Sequence, residues 1–529
     1  MTKFCCLKDY PVVETNKGKL RGFVYDDVFT FYGIRYARAK RFEQAEEIPC
    51  WEGIQDATGY GYISPILGSP KPSGEVRILH RFWPSNENCQ YLNVWTGSID
   101  KDAKRPVIVW FHGGGLADGS SIEQACYDGA ALAKNEGMVV VTVNMRLNVF
   151  GFCDFSAYGE KFANSANCGV SDMTASLQWV HDNIAGFGGD PDCVTIIGQS
   201  GGGTKVTSMG QDPKAAGLFH RAIIMSGAPT PRKSPKPVLD CKVLAKEIFA
   251  QCGIEEGDME ALQNVPTSRF IQAVNAAGLK LTTEGEGKSF SWKTTKNDFF
   301  AGMPLDPGND FSDYFKTVPT MVGTVIAEMS SHGYDKPKDE LTEEERLACV
   351  KAKFGDASDT VIAAFKKAYP EGNIADATQV NVRKNAKLYA GEKAKRSSAP
   401  VYNYLFTLSY TLENGVMAWH CADIPFLFQT CKVQPCTQMG PDVDALEQTF
   451  SKAMCAFART GNPNGGDLPK WDPVKEGEFN TMIFDRKCEQ KTNFDDELDE
   501  AIEAVTGPRM FNMQCFYDET AASTHDWMY

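Results

Sequence analysis

One segment constrains the fold more than any other: an apolar, β-branched stretch at 194–197 that leads directly into the sequence Gly-Gln-Ser-Gly-Gly. A strand that turns at once into a helix needs strained backbone angles and close packing. Gly198 and Gly202 tolerate both because they lack a Cβ atom. Ser200 then stands at the apex of the turn. The motif G-x-S-x-G also recurs by chance, so a glycine-rich turn without chemistry is the alternative, and the preceding strand and following helix argue against it.

Short apolar runs of the same kind recur on either side of this turn, at 107–111, 138–143 and 222–225, separated by helical stretches. Such runs are typical of buried parallel strands. Between two of them, residues 171–184 form a predicted crossover helix with Ser171 as its N-cap. Its apolar face carries Met173, Leu177, Val180 and Ile184.

Other segments predict antiparallel and helical elements. Residues 12–25 alternate around a glycine-bearing turn, which predicts an N-terminal antiparallel hairpin forming an edge ribbon. Thr342 and Glu345 have capping-box spacing, which predicts the start of a helix. Residues 443–459 are amphipathic and are followed by Gly461, which predicts a second helix. Strand-like runs resume at 320–324 and 401–406. Because no repeat or flexible linker divides the chain, we expect one α/β domain over 1–529: a mostly parallel central sheet flanked by helices, with long insertions.

Composition excludes several classes of protein. With 43% hydrophobic and 23% charged residues, the chain is expected to fold throughout. Its net charge of -14 disfavours nucleic-acid partners and anionic membrane surfaces through repulsion. No apolar run is long enough to span a bilayer, and residues 1–10 carry no signal-peptide pattern. The 17 cysteines lack C-x-x-C spacing, which favours reduced thiols in the cytoplasm; a trimmed mature form is the alternative.

A serine at such a turn becomes a nucleophile only when a base takes its proton, and on this architecture the order along the chain is serine, acid, histidine. Of the seven histidines, four follow the turn; His220 lies in the approach to the strand after the helix, which leaves His332, His420 and His525. His525 lies almost at the chain end, where fraying is expected. His332 follows too closely on the best acid, Glu328, to be held by a separate loop. We therefore predict His420 as the base.

The acid is expected at a strand end between the serine and the base. Glu328 comes just after the apolar run 319–325, and a buried carboxylate there would fix the imidazole tautomer and stabilise the imidazolium. Many other acids lie in this interval, so by spacing alone Glu328 is equally consistent with a surface glutamate.

A second glycine motif, Trp110-Phe-His-Gly-Gly-Gly, ends an earlier strand. Backbone N–H groups in such a loop stabilise a developing oxyanion, and we predict Gly114 and Gly115 as donors, with Gly201 completing the hole. A phosphate cradle is the alternative, and it fits less well because no G-K-[ST] follows.

These residues resemble the type-B carboxylesterase and cholinesterase family of the α/β-hydrolase superfamily, most of all its intracellular microbial carboxylesterases. The similar stretches run along most of the chain, at 32–37, 51–58, 91–95, 144–152, 183–191, 225–228 and 457–463. The resemblance implies an α/β-hydrolase fold, with Ser200, Glu328 and His420 as catalytic triad. It also implies that Ser226 and Asp423 hydrogen-bond near the triad acid and support it.

The chain also departs from the family pattern. Gln199 precedes the nucleophile where cholinesterases and many relatives carry glutamate, so one negative charge is missing; we group Gln199 with the supporting residues. Cys89 matches a family half-cystine, but its partner segment, 61–65, contains no cysteine. Trp83 does not have the spacing of the choline-stacking tryptophan, so a quaternary ammonium substrate is not indicated. The region 291–300 diverges too far to assign acyl-pocket residues.

The sequence thus predicts hydrolysis of small, mostly uncharged carboxylic esters through an acyl-enzyme on Ser200, with no metal or organic cofactor. Carbamates or aryl amides are alternatives, since the same machinery serves all three. A scaffold or adhesion protein without activity is disfavoured by the intact triad and glycines. A lipase would require an exposed apolar lid.

Overall fold

A twelve-stranded sheet organises the chain in this computed structural model, which describes residues 3–68, 80–230, 240–283, 291–466 and 468–507. The strands, in chain order, are β1 Phe4–Cys5, β2 Val12–Glu14, β3 Lys19–Arg21, β4 Phe23–Tyr25, β5 Val28–Arg35, β6 Ile54–Asp56, β7 Tyr91–Thr96, β8 Arg105–Phe111, β9 Val139–Val143, β10 Gly189–Gln199, β11 Arg221–Met225, β12 Thr320–Val325, β13 Val401–Phe406, β14 Asn480–Phe484 and β15 Glu489–Thr492. The sheet order is β1-β4-β5-β7-β9-β8-β10-β11-β12-β13-β14-β15.

The seven strands from β9 to β14 in this order are all mutually parallel, as the apolar runs predicted. Antiparallel strands extend the sheet at both sides: β7, β5, β4 and β1 at one, and β15 at the other. The predicted hairpin is present as β2 and β3. It does not form an edge ribbon of the large sheet, because β3 pairs with β6 in a separate three-stranded sheet.

Helices cover both faces of the sheet. They are α1 Ala130–Asn135, α2 Asn148–Phe152, α3 Cys168–Asn183, α4 Gly201–Gln211, α5 Cys241–Cys252, α6 Met259–Asn264, α7 Thr267–Thr283, α8 Asp313–Lys316, α9 Glu343–Phe354, α10 Ser358–Ala368, α11 Lys384–Arg396, α12 Ile424–Phe428, α13 Pro441–Thr460 and α14 Asp496–Thr506. The capping box of Thr342 and Glu345 begins α9, and Gly461 ends α13 in a left-handed conformation, both as predicted.

The helix predicted at 171–184 exists as α3, but its start was predicted wrongly. It begins at Cys168, and Ser171 lies inside it instead of capping it. The Ser171 hydroxyl accepts a hydrogen bond from the distant Ala45 N–H at 3.0 Å, so a tertiary contact occupies the expected capping group. The predicted apolar face is buried in full.

Two hydrophobic layers result, one on each face of the sheet. Along β8, Val107, Val109 and Phe111 belong to the layer that α3 and α4 cover, while Ile108 and Trp110 belong to the layer that α13 covers. This alternation follows from the period of two in a strand. Because the seven strands are parallel, their carboxyl ends all lie at the same end of the sheet. Binding and catalytic groups collect at this end in open α/β sheets.

Candidate active site

Ser200 lies in the tight turn between β10 and α4, with φ 58° and ψ -125°, a backbone conformation that side-chain-bearing residues rarely adopt. Its N–H donates to the Met225 carbonyl oxygen at 2.8 Å, which holds the turn against β11. The neighbouring glycines are required by space: a Cβ at Gly202 would lie 2.1 Å from the Phe111 oxygen, and one at Gly227 would lie 1.9 Å from the Ser200 oxygen. The turn therefore has the strained, closely packed form that the motif predicted.

His420 and Glu328 meet beside this turn. Glu328 follows β12 and His420 follows β13, so neighbouring parallel strands deliver both groups to the same edge. The His420 Nδ1 atom lies 2.6 Å from Glu328 Oε2, and the His420 backbone N–H donates to the Glu328 carbonyl oxygen at 2.9 Å. The other carboxylate oxygen, Oε1, accepts from the Val325 N–H at 3.2 Å. The side chains are only 4% and 7% exposed, so this contact is largely shielded from water.

Gln199 packs its amide against the imidazole of His420. Its Nε2 atom lies 3.2 Å from Nε2 and 3.4 Å from Nδ1 of the ring, and its Oε1 accepts from the Cys421 thiol at 3.1 Å. Because a carboxylate faces Nδ1, that nitrogen carries the proton in the neutral ring and Nε2 is left as the acceptor. The Gln199 amide thus contacts the imidazole ring and, because it is neutral, does not add the negative charge that a glutamate would.

The three-glycine loop approaches Ser200 from β8. Gly114 and Gly115 have φ values of 80° and 62°, in the left-handed region that favours glycine. The Gly114 carbonyl oxygen accepts from the Asp118 N–H at 2.9 Å, which turns the loop back on itself. A Cβ at Gly201 would lie 2.3 to 2.4 Å from backbone atoms of Gly115, so the loop and the first residue of α4 are in direct contact. The structure thus brings together all three predicted backbone donors.

The family resemblance implies that Ser226 and Asp423 hydrogen-bond near the triad acid, and of the two only the Asp423 side chain does so in the part of the chain that the structure describes. Within the described residues, the Ser226 hydroxyl and Asp423 Oδ1 are buried without a hydrogen-bond partner. Asp423 Oδ2 accepts from the Tyr404 hydroxyl at 2.7 Å. Burial, opposed by this hydrogen bond and reinforced by the charge of Glu328, raises the pKa of Asp423 to about 7.

Sequence reasoning missed two residues of this site. Lys205, on α4, is completely buried and donates to the carbonyl oxygens of His112 and Gly113 at 2.8 and 3.1 Å. Cys421 contacts Gln199, as described above. A signal for Lys205 was present, since it is the single charged residue in a helix that otherwise consists of small, polar and apolar residues. Nothing in the sequence marked Cys421 except its position directly after His420.

Of the two other histidines considered as the base, His332 does not join this cluster. His332 is exposed and its ring contacts the Ser330 carbonyl oxygen and Thr378. His525 lies outside the described residues. Across the part of the chain that the structure describes, no group of three or more His, Cys, Asp or Glu side chains is arranged to hold a metal ion. The same part contains no helix long and apolar enough to cross a membrane.

Comparison with known proteins decides the family. The model of the carboxylesterase family matches residues 9–500. The chain belongs to the carboxylesterase family. It is 29% identical to a para-nitrobenzyl esterase of Bacillus subtilis (strain 168), with 90% of this chain and 95% of the relative covered. It is 30% identical to a phenmedipham hydrolase of Pseudarthrobacter oxydans, with 87% and 92% covered.

Solved structures of carboxylesterases agree with the fold. An esterase from anaerobic Clostridium hathewayi, which can hydrolyse aliphatic aromatic polyesters, superposes with a TM-score of 0.89 at 40% identity, covering 95% of this chain and all of that one. A para-nitrobenzyl esterase structure superposes with a TM-score of 0.69 at 26% identity. This carboxylesterase therefore has the α/β-hydrolase fold and hydrolyses carboxylic esters.

Proposed function

We propose that this carboxylesterase cleaves small, mostly uncharged carboxylic esters with Ser200 as nucleophile, His420 as general base and acid, and Glu328 as the group that orients the imidazole. The observation that carries the assignment is the buried 2.6 Å contact between His420 and Glu328 beside the strained Ser200 turn. Nucleophile, base and orienting acid are the three parts of a triad, and they follow here in the chain order of this fold.

The reaction proceeds in two steps. Ser200 Oγ bonds to the ester carbonyl carbon while His420 Nε2 takes its proton, and the negative charge of Glu328 stabilises the imidazolium. The C–O bond to the alcohol breaks as His420 returns the proton to the leaving oxygen, which leaves an acyl-enzyme. Water then gives a proton to His420 and attacks the acyl carbon, and the acid leaves as Ser200 regains its hydrogen.

Backbone N–H groups of Gly114, Gly115 and Gly201 are proposed to receive the carbonyl oxygen when it becomes negative. Gly201 is the first residue of α4, so its N–H has no partner within the helix and the positive end of the helix dipole lies at the same place. The contact of Gly201 with the Gly115 backbone supports a shared binding spot for one oxygen atom. Donors of this kind each contribute roughly 100- to 1000-fold in rate.

The preference for uncharged esters follows from charge and from the site. The net charge of -14 disfavours anionic substrates, and Gln199 leaves the position before the nucleophile neutral. Relatives that cleave para-nitrobenzyl esters or aliphatic aromatic polyesters support aryl and aliphatic esters as the class to test.

We place the enzyme in the cytoplasm and treat residues 1–529 as one domain. The sixteen cysteines in the described ranges are free thiols, and eight of them are buried, which supports a reducing compartment. The twelve-stranded sheet, which has β1 at one edge and β15 at the other, supports one continuous domain.

The test compares the wild type with Ser200→Ala on p-nitrophenyl acetate, butyrate and octanoate at neutral pH without added metal. We expect turnover by the wild type and background rates from the variant. A fluorophosphonate should label the wild type once, on the peptide containing Ser200. Equal rates for both folded proteins, or labelling elsewhere, would overturn the assignment of Ser200.

A further inference from the structure

A lysine with no exposed surface lies one turn into the helix that follows the nucleophile. Lys205 is 0% exposed, and its ammonium donates to two consecutive backbone oxygens, those of His112 at 2.8 Å and Gly113 at 3.1 Å. These carbonyls immediately precede Gly114 and Gly115. Lys205 thus connects the helix to the loop at the point where the loop leaves β8.

Burying a charged ammonium is unfavourable unless it is well compensated. Burial lowers the pKa of Lys205 to about 7, while the more distant carboxylates of Glu123 and Asp118 act in the opposite direction. An apolar side chain at position 205 would give a more favourable free energy of folding, because no charge would be buried. What a lysine provides here and an apolar residue does not is the pair of hydrogen bonds to the loop.

The loop glycines have no side chains with which to hold their own position. Two of the three residues 113–115 adopt left-handed angles, and glycine backbone has high conformational freedom. Within the loop, His112 Nδ1 contacts the Gly113 carbonyl oxygen at 2.9 Å and the Asp118 N–H donates to that of Gly114 at 2.9 Å. Lys205 adds the side-chain contact that joins this loop to α4. On the opposite wall of the proposed oxyanion site, Gly201 belongs to α4, the same helix that carries Lys205. One rigid element therefore holds both walls when Lys205 is bonded to the loop.

We propose that Lys205 is a positioning residue of the oxyanion hole, which fixes the Gly114 and Gly115 N–H groups relative to that of Gly201. This rests on the proposed function of those glycines. The hydrogen bonds of Lys205 go to the loop carbonyl oxygens and not to Ser200, His420 or Glu328, so it would act through the loop. Donors must lie 2.7–3.1 Å from the oxyanion, and a displacement of about 1 Å lowers the rate by roughly 100-fold.

The chain offers a matched control. Lys393, on α11, is also 0% exposed, burial likewise lowers its pKa to about 7, and it donates to the Phe315 carbonyl oxygen and, at 3.0 Å, to the Ser397 hydroxyl. None of these residues belongs to the candidate site. Lys205→Met and Lys393→Met therefore remove the same chemical group from similar surroundings, and only the first removes a contact to the glycine loop.

The experiment measures kcat and KM for p-nitrophenyl butyrate and Ki for an aliphatic trifluoromethyl ketone, which forms a tetrahedral oxyanion adduct with a serine. Rates are expressed per site titrated with a fluorophosphonate, so that only folded enzyme counts. We expect Lys205→Met to lower kcat by about 10- to 100-fold, to leave KM within about threefold and to raise Ki by the same factor as kcat falls. Lys393→Met should keep wild-type values for all three.

Further results distinguish a failure of the proposed function from a failure of the role proposed for Lys205. A wild type that the ketone does not inhibit would refute the proposed function, whereas an inhibited wild type with equal Ki and kcat for Lys205→Met would refute the role of Lys205 alone. Lys205→Gln, which keeps N–H donors on a shorter chain, should lie between the wild type and Lys205→Met. If both Lys205 variants fail to fold while Lys393→Met folds, Lys205 serves stability and the proposal is wrong.

Discussion

Replacing Asp423 by asparagine tests the electrostatics beneath the site. The Asp423 carboxyl is completely buried, it has one hydrogen bond, from Tyr404, and its pKa is raised from 3.8 to about 7. A group whose pKa is raised by folding binds more protons in the native state than in the unfolded state between these two values. The free energy of unfolding therefore falls as pH rises from about 4 to about 7.

The magnitude follows from the size of the shift. One pKa unit corresponds to about 1.4 kcal/mol, so ionising Asp423 costs the native state on the order of 4 kcal/mol by pH 8. Asparagine has nearly the same shape, accepts the Tyr404 hydrogen bond and does not ionise. We expect Asp423→Asn to be more stable than the wild type by a difference that grows from near zero around pH 4 to roughly 3–4 kcal/mol at pH 8.

Urea unfolding followed by tryptophan fluorescence at pH 5, 6, 7 and 8 measures this difference, and titrating groups that do not interact with Asp423 cancel between wild type and variant. Asp102→Asn, at an exposed position, is the control and should show no such trend. A stability difference that stays constant across pH, or that shrinks as pH rises, would refute the reasoning.

Two other predictions follow from the same geometry. Glu328→Gln keeps the shape of the side chain but removes the charge facing His420, so we expect kcat to fall by about 10⁴-fold with KM nearly unchanged; activity within tenfold of the wild type would contradict a triad role. Thr342→Ala removes the capping box of α9 and should lower the free energy of unfolding by about 1 kcal/mol without changing kcat per titrated site; unaltered urea midpoints would contradict the capping argument.

Local patterns predicted the parts of the fold that depend on neighbouring residues. The parallel strands, the buried face of α3 and the Ser200 turn follow from period, β-branching and glycine sterics, which act over a few residues. The order of serine, acid and histidine, a rule of chain topology, excluded the histidines before the turn, and position along the chain then favoured His420 over those that follow it. The structure then places Glu328 against that ring, where spacing alone left the choice of acid open.

What the sequence could not predict depends on long-range contacts. Ser171 resembles an N-cap, but its hydroxyl meets Ala45, 126 residues away. Lys205 is the single charged residue of α4, but its partners, the carbonyl oxygens of residues 92 and 93 positions earlier, could not be predicted from that helix alone. The acyl-pocket residues stay unassigned for the same reason, since the walls of a pocket come from segments distant in sequence.

The spread of the proposed triad along the chain has a consequence for synthesis. Ser200 is joined to the chain 220 residues before His420. At ribosomal rates of about 5–20 residues per second, roughly 10 to 45 s pass between the two. During that interval the serine hydroxyl has no base to take its proton, so a nascent or truncated chain carries the nucleophile in an inert form. Ester hydrolysis therefore begins only after β12 and β13, which precede Glu328 and His420, have been synthesised and have paired into the sheet beside the Ser200 turn.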